Sequence, residues 1–158
     1  MKKYEKTNVD YMRLAYLQAL KAQSIDEVPV GAIVVLDGKV ISRGYNIRNK
    51  SQNATSHAEH IAIEKACKKL KTWRLEGCEL YVTLEPCPMC AGAIIQSRIP
   101  RVYFGAYDPK GGCFGSCVDF REIEGFNHYP EVEGGVLEDE CAQLLKDFFK
   151  SKRKNNRG

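Results

Sequence analysis

The sequence predicts an α/β fold: a three-layer α/β/α sandwich with helices on both faces of a mixed five-stranded sheet. Three observations lead there. Residues 78–106 read strand, helix, strand, the pattern of a parallel βαβ crossover, which is normally right-handed. Residues 31–44 hold two β-branched runs meeting at Asp37 and Gly38, the signal of an antiparallel hairpin. Helical periodicity stands before, between and after these strands, and no repeat or linker divides the chain. One domain over residues 1–158 is expected, with a core from about 8 to 153 and a basic tail from 150 to 158.

In chain order, a first helix is expected from about Asn8 or Asp10 to Ala22, where Met12, Ala15, Tyr16 and Leu20 recur at helical spacing. The hairpin strands follow at 31–36 and 39–44. A polar loop, "NIRNKSQNAT", leads into a helix from about Ser56 to Leu70. "CELYVTL" is a strand, "PCPMCAGAIIQSR" a helix and "RVYFGA" a strand parallel to the first of these. A Gly-rich loop around "PKGGCFGS", a short strand near "VEGGVL" and an amphipathic helix from about Glu138 to Lys152 complete the chain. Ligands of such sheets gather beyond the carboxyl ends of the parallel strands, which is where "TLEPCPMC" falls.

Composition narrows the class. With 158 residues, 44% hydrophobic and 28% charged, the chain can bury an ordinary core without staples. No apolar run approaches the roughly eighteen residues of a membrane span, and "MKKYEKTNVDYMRL" has no apolar block of signal-peptide type, so a cytoplasmic protein is expected. Seven cysteines in a reducing compartment then suggest metal binding or plain burial rather than disulfides. A formal charge of +4 selects no partner. Lys150, Lys152, Arg153, Lys154 and Arg157 at one end, and Lys65, Lys68, Lys69, Lys71 and Arg74 in mid-chain, read either as solvated faces or as phosphate-binding surfaces.

Two stretches carry chemistry. Cys87 and Cys90 are three apart, so on a helix their side chains lie within about 60° of each other. Pro88 suits the first helical position, which makes Cys87 a plausible cap and puts both sulfurs on an opening turn where thiolate is favoured. A redox pair or two idle core cysteines would show the same spacing; Glu85 and Pro86 in place of an aromatic lead-in argue against the redox reading.

The second stretch is "TSHAEH". His57 and Glu59 are about 200° apart on a regular helix and face one ion together only if His57 sits in the entry turn. Ser56 to Glu59 also matches a capping box, which would give the glutamate a purely structural task. His57 and His60 could join the cysteines in a closed Cys2His2 zinc site serving folding alone. The open alternative uses His57, Cys87 and Cys90 as ligands and leaves the fourth position to water. Glu59 is then the base that takes the water's proton and returns it to a ring nitrogen and to departing ammonia.

"HAE" with "TLEPCPMCAGA" resembles the signature of the zinc-dependent cytidine and nucleobase deaminase superfamily. The likeness is closest to the bacterial tRNA-specific adenosine deaminase family, from about residue 10 to 153, through "EVPVGAIVV", "TLEPCPMCAGAIIQSRIPRVYFGAYD" and "NHYPEVEGGVLEDECAQLLKDFFK". The resemblance implies a cytidine deaminase-like fold and hydrolytic deamination of adenosine to inosine at the wobble position of an arginine tRNA. It implies one Zn2+ per subunit on His57, Cys87 and Cys90, with Glu59 as proton shuttle. It also implies that Asn46 holds the purine edge, that the Ala58 amide contacts the base and that Val30 and Pro29 line its pocket. Asp108 would touch the target nucleotide's backbone, and Phe149 and the basic tail would flank the path of the anticodon stem-loop. The family is expected to act as a homodimer in the cytoplasm.

Each residue has a plainer reading. Asn46 could cap a turn, His60 could be an exposed helix residue, and Phe149 could be core beside Leu145 and Phe148. Cys113 and Cys117 depart from the family's usual small residues in their loop. The rival functions are a superfamily deaminase of a free base or nucleotide, such as guanine or cytosine, and a non-catalytic zinc-stabilised RNA-binding module.

Overall fold

A computed structural model of the chain describes residues 5–156. Arg157, part of the expected basic tail, lies outside them. The strands β1 (Gly31–Leu36), β2 (Lys39–Tyr45), β3 (Cys78–Leu84), β4 (Arg101–Ala106) and β5 (Glu131–Glu133) form one sheet in the order β2-β1-β3-β4-β5. β1 runs antiparallel to β2 and β3, while β3, β4 and β5 are parallel. Asp37 and Gly38 both take positive φ, 51° and 76°, as the tight turn between β1 and β2 requires.

Helices cover both faces. Gly31, Ile33 and Val35 of β1 and Tyr81 of β3 face α1 (Asn8–Ser24), whose Tyr11, Met12 and Ala15 pack on them. A Cβ on Gly31 would stand 2.2 Å from the Ala15 carbonyl oxygen, so the glycine lets the helix lie directly on the strand. α5 (Glu138–Asn156) shares that face: Cys141 sits over Gly105, and Arg13 of α1 pairs with Glu140 at 3.1 Å. On the opposite face Ala32, Val34, Leu80, Val82, Val102 and Phe104 pack against α3 (Ala58–Leu70) and α4 (Pro88–Gln96) through Ala58, Ala62, Ala66, Ala91 and Ile94. The result is the three-layer sandwich with the mixed five-stranded sheet that the sequence predicts.

Boundaries differ where local geometry decides. A short helix, α2 (Arg48–Ser51), interrupts the loop expected to be irregular. β5 ends at Glu133 because Gly134 and Gly135 follow, the latter at φ 85°. α5 runs past Lys152 to Asn156, with no breaker to stop it and basic residues in its last turn suiting the negative helix end. α3 starts at Ala58 rather than Ser56, which matters for the site.

Candidate active site

Parallel strands β3 and β4 end on the same side of the sheet, and there the N-termini of α3 and α4 converge. Each helix starts on a site residue. His57 is the N-cap of α3 in extended conformation, φ −79° and ψ 154°, and its carbonyl accepts from the Ile61 N–H at 3.0 Å. Cys87 is the N-cap of α4, φ −76° and ψ 175°, with Pro88 in the first helical position and its carbonyl accepting from the Ala91 N–H at 2.8 Å. Neither cap residue uses its side chain to hold the helix backbone. Both side chains turn toward each other instead.

His57 Nδ1 lies 3.5 Å from Cys87 Sγ and 3.6 Å from Cys90 Sγ, and the three ligand atoms all fall within 4.8 Å of one another. With Zn–S about 2.3 Å and Zn–N about 2.0 Å at a tetrahedral angle, a coordinated sulfur and nitrogen stand about 3.5 Å apart. The donor set therefore fits a tetrahedral zinc ion with one position left over. Cys87 is the thiol that ionises first: the hydrogen bond from Cys90, then the one with His57, lowers its pKa to about 4. The same bond and burial keep the proton on Cys90, and the bond to Cys87 raises the pKa of His57.

Glu59 is buried, 4% exposed, on the first turn of α3. Burial pushes its carboxyl up to about 7, its own backbone and His57 pulling the other way. A carboxyl balanced near neutrality both accepts and returns a proton readily. The Ser56 to Glu59 capping box is not formed: the helix starts at Ala58, and the Ser56 hydroxyl accepts from Ser51 at 2.9 Å. Nor is the closed Cys2His2 arrangement, since His60 turns away to Glu64 at 3.6 Å and among the described residues only His57, Cys87 and Cys90 group as potential ligands. Cys113 and Cys117 form no second group of this kind: the Cys113 thiol donates to the Gly111 carbonyl at 3.4 Å, and Cys117 is exposed.

A cavity of about 250 Å³ opens beside this cluster, lined by His57, Ala58, Glu59 and Cys87 and walled by Val30, Asn46, Asp108 and Phe149. Ala58 is the first residue of α3, so its N–H has no partner within the helix. Asn46 does cap a turn, accepting from the Arg48 N–H at 3.1 Å, and its amide nitrogen donates to the Val28 carbonyl at 3.2 Å; it still borders the cavity. Phe149 is 45% exposed at the cavity, while Phe148 is the one packed inside. Asp108 closes its own loop, one carboxylate oxygen accepting from the Lys110 and Gly111 N–H groups at 3.1 and 3.2 Å.

Pro29, expected to line the pocket, is buried and outside the lining; Val28 stands there instead. Strand alternation does not reach Pro29, because β1 begins only at Gly31. Arg48, Leu84 and Glu85 also line the cavity and were not singled out as site residues from the sequence. Leu84 and Glu85 had a signal, since they occupy the carboxyl end of a parallel strand just before Cys87. Arg48 carries no such signal, because the polar loop around it has no periodicity that marks α2.

Comparison with known proteins agrees with this geometry. The model of MafB19-like deaminases matches residues 6–153. The chain is 52% identical over 147 residues to the tRNA-specific adenosine deaminase of Bacillus subtilis (strain 168), covering 93% of this chain and 91% of that protein. It is 48% identical to the protein of the same name from Agrobacterium fabrum (strain C58), over 90% of this chain and 94% of the other. A solved structure from work on A-to-I editing by tRNA:A34 deaminases at the wobble position of transfer RNA superposes with a TM-score of 0.83 at 48% identity, covering 85% of this chain and 98% of that one.

Proposed function

This chain belongs to the tRNA-specific adenosine deaminase family and is a hydrolytic deaminase, and from that premise we propose that it converts adenosine to inosine at the wobble position of an arginine tRNA, using zinc held by His57, Cys87 and Cys90. The observation that carries the site assignment is the open three-ligand cluster with a buried carboxylate beside it and a cavity in front.

Zinc held by those residues would supply Lewis acidity toward a water. Glu59 then moves the protons. It takes one from the water as the oxygen bonds to C6 of the purine and places it on ring N1. The remaining hydroxyl proton passes through the same carboxylate to the amino group, which leaves as ammonia while a carbonyl forms at C6. Asn46 retains one amide hydrogen beyond its bond to Val28, free to donate to a purine acceptor. The Ala58 N–H, at a positive helix end, is a second donor toward the base. Phe149 offers a partly exposed ring for stacking, and Asp108 stands at the rim toward the ribose-phosphate chain.

An anticodon loop suits such a site because its bases are already nearly unstacked, so little energy is needed to bring one into a cavity. Lys150, Arg153 and Lys154 continue α5 beyond Phe149 and can meet loop phosphates. The same reading has the chain working in the cytoplasm as a homodimer with one zinc per subunit. Among the described residues no helix is long and apolar enough to cross a membrane.

Inosine formation in an arginine-tRNA anticodon stem-loop, measured for the zinc-loaded protein and for Glu59→Ala, tests the reading. Product from the first and none from the second, with equal zinc content, is expected. A folded, zinc-loaded wild-type protein that leaves this RNA unchanged rejects the substrate. Full activity in Glu59→Ala rejects the shuttle.

A further inference from the structure

Glu85 follows β3 directly. It is 2% exposed, borders the cavity, stands outside the ligand group, and forms no salt bridge among the described residues. Four donors from a single loop converge on its two oxygens. Oε1 accepts from the Asp108 N–H at 3.1 Å and from the Ser116 hydroxyl. Oε2 accepts from the Phe114 N–H at 3.0 Å and the Ser116 N–H at 3.1 Å. Around these bonds the loop closes on itself, Gly112 N–H to the Asp108 carbonyl at 2.8 Å, and ties to the cysteine-bearing segment, Cys113 N–H to the Pro86 carbonyl at 2.9 Å. Gly112 lies so close that a Cβ there would stand 2.3 Å from the Glu85 carboxyl carbon. Residues 108–116 are thus folded round one side chain.

We infer that Glu85 is a positioning residue for the deamination: its carboxylate is the anchor that folds residues 108–116 and thereby fixes Asp108, the residue of that loop that lines the cavity, at the rim. The inference deepens the RNA reading above and rests on it. Glu85 touches no reacting atom in that scheme. Its action passes through the loop, on the placement of the nucleotide rather than on the proton transfers.

The donor set explains why a carboxylate stands here. Three N–H groups and a hydroxyl need a group that accepts at both ends, whereas glutamine accepts at one and donates at the other. In Glu85→Gln the amide nitrogen takes the Oε1 position with least loss, because the Ser116 hydroxyl can rotate to accept from it; only the Asp108 N–H is then left facing a donor. The opposite orientation would strand both the Phe114 and the Ser116 N–H groups. The substitution therefore releases Asp108 in particular and leaves the rest of the loop held.

The test joins hydrogen exchange on the whole chain to steady-state and single-turnover deamination of the anticodon stem-loop. For Glu85→Gln, faster exchange confined to residues 108–116 is expected, with zinc content and exchange in α3 and α4 as in the wild type. KM for the stem-loop should rise by about tenfold, the scale of one unpaired buried N–H, while the single-turnover rate at saturating RNA stays within about threefold. Ser116→Ala, which removes the one hydroxyl, should raise KM by less than about threefold. Unchanged exchange in the loop, or a lowered saturating rate with unchanged KM, overturns the inference. Should Glu85→Gln fail to fold, Gly112→Ala presses on the same carboxylate from the loop side and is read by the same criteria. Exchange needs no substrate, so a wild-type protein inactive on RNA would remove the proposed function while the loop anchor is judged separately.

Discussion

The first helix and the two site helices begin in opposite ways. α1 starts with a complete capping box: the Thr7 hydroxyl accepts from the Asp10 N–H at 3.3 Å, and the Asp10 carboxylate accepts from the Thr7 N–H at 2.9 Å. α3 and α4 start on His57 and Cys87, whose side chains make no bond to their own helix and meet each other at 3.5 Å. A capping side chain contributes about 1 kcal/mol, so two helix starts have each forgone that stabilisation. Two positive helix ends converge on the space gained, where thiolates and a developing anion belong. On the proposed function, the helix start that only has to fold keeps its cap, and the two that face the site relinquish theirs.

The strongest way to break the contrast is to give α3 a working cap. In His57→Ser a hydroxyl in the N-cap position should accept from the first-turn N–H groups as Thr7 does. Deamination and zinc retention should fall by at least about a thousandfold, since a ligand is lost. The metal-free protein should nonetheless become more stable than metal-free wild type, by about 0.5–1 kcal/mol. Urea midpoints in the presence of a chelator measure this. A metal-free variant that is less stable would mean that His57 supports the fold in its own right.

The complementary change removes the cap that does work. Thr7→Ala should lower stability by about 1 kcal/mol, read from the urea midpoint, and leave inosine formation unchanged, because no residue of α1 lines the cavity. A matching loss of activity would show that the two faces are coupled.

How far such features are legible in the sequence depends on whether they are local. The hairpin at Asp37 and Gly38, the βαβ unit and the cysteine pair at the start of α4 follow from spacing and turn chemistry, and the structure has them. The entry of α3 is open between Ser56 and His57 because both an N-cap serine with Glu59 and an N-cap histidine satisfy the local pattern; the structure has His57 as the cap and Glu59 buried, and burial depends on strands distant in sequence. Glu85 illustrates the rest. Its role is defined by a loop more than twenty residues away folding back upon it, and nothing in "TLEPC" announces four donors arriving from "DPKGGCFGS". Pro29 shows the converse: it stands in sequence between two lining residues, Val28 and Val30, yet is itself buried and outside the lining.

The smallest expected effect concerns the residue that could have closed the coordination sphere. His60 side-chain exposure is 26%, and its partner Glu64 is 61% exposed at 3.6 Å, a surface contact contributing about 0.3 kcal/mol at most when the imidazole is charged. Replacing this first-turn histidine by alanine returns at most about half a kcal/mol of helix propensity. The two terms nearly cancel, so His60→Ala should change stability by less than about 0.5 kcal/mol, leave one zinc per chain and keep deamination within about twofold. Each of these numbers is small for a separate reason: a screened ion pair, a favourable propensity, and, in the proposed zinc site, a fourth position that His60 does not fill. A loss of zinc in this variant, measured by metal analysis after dialysis, would place His60 on the metal, close the fourth position, and leave Glu59 with no water to deprotonate.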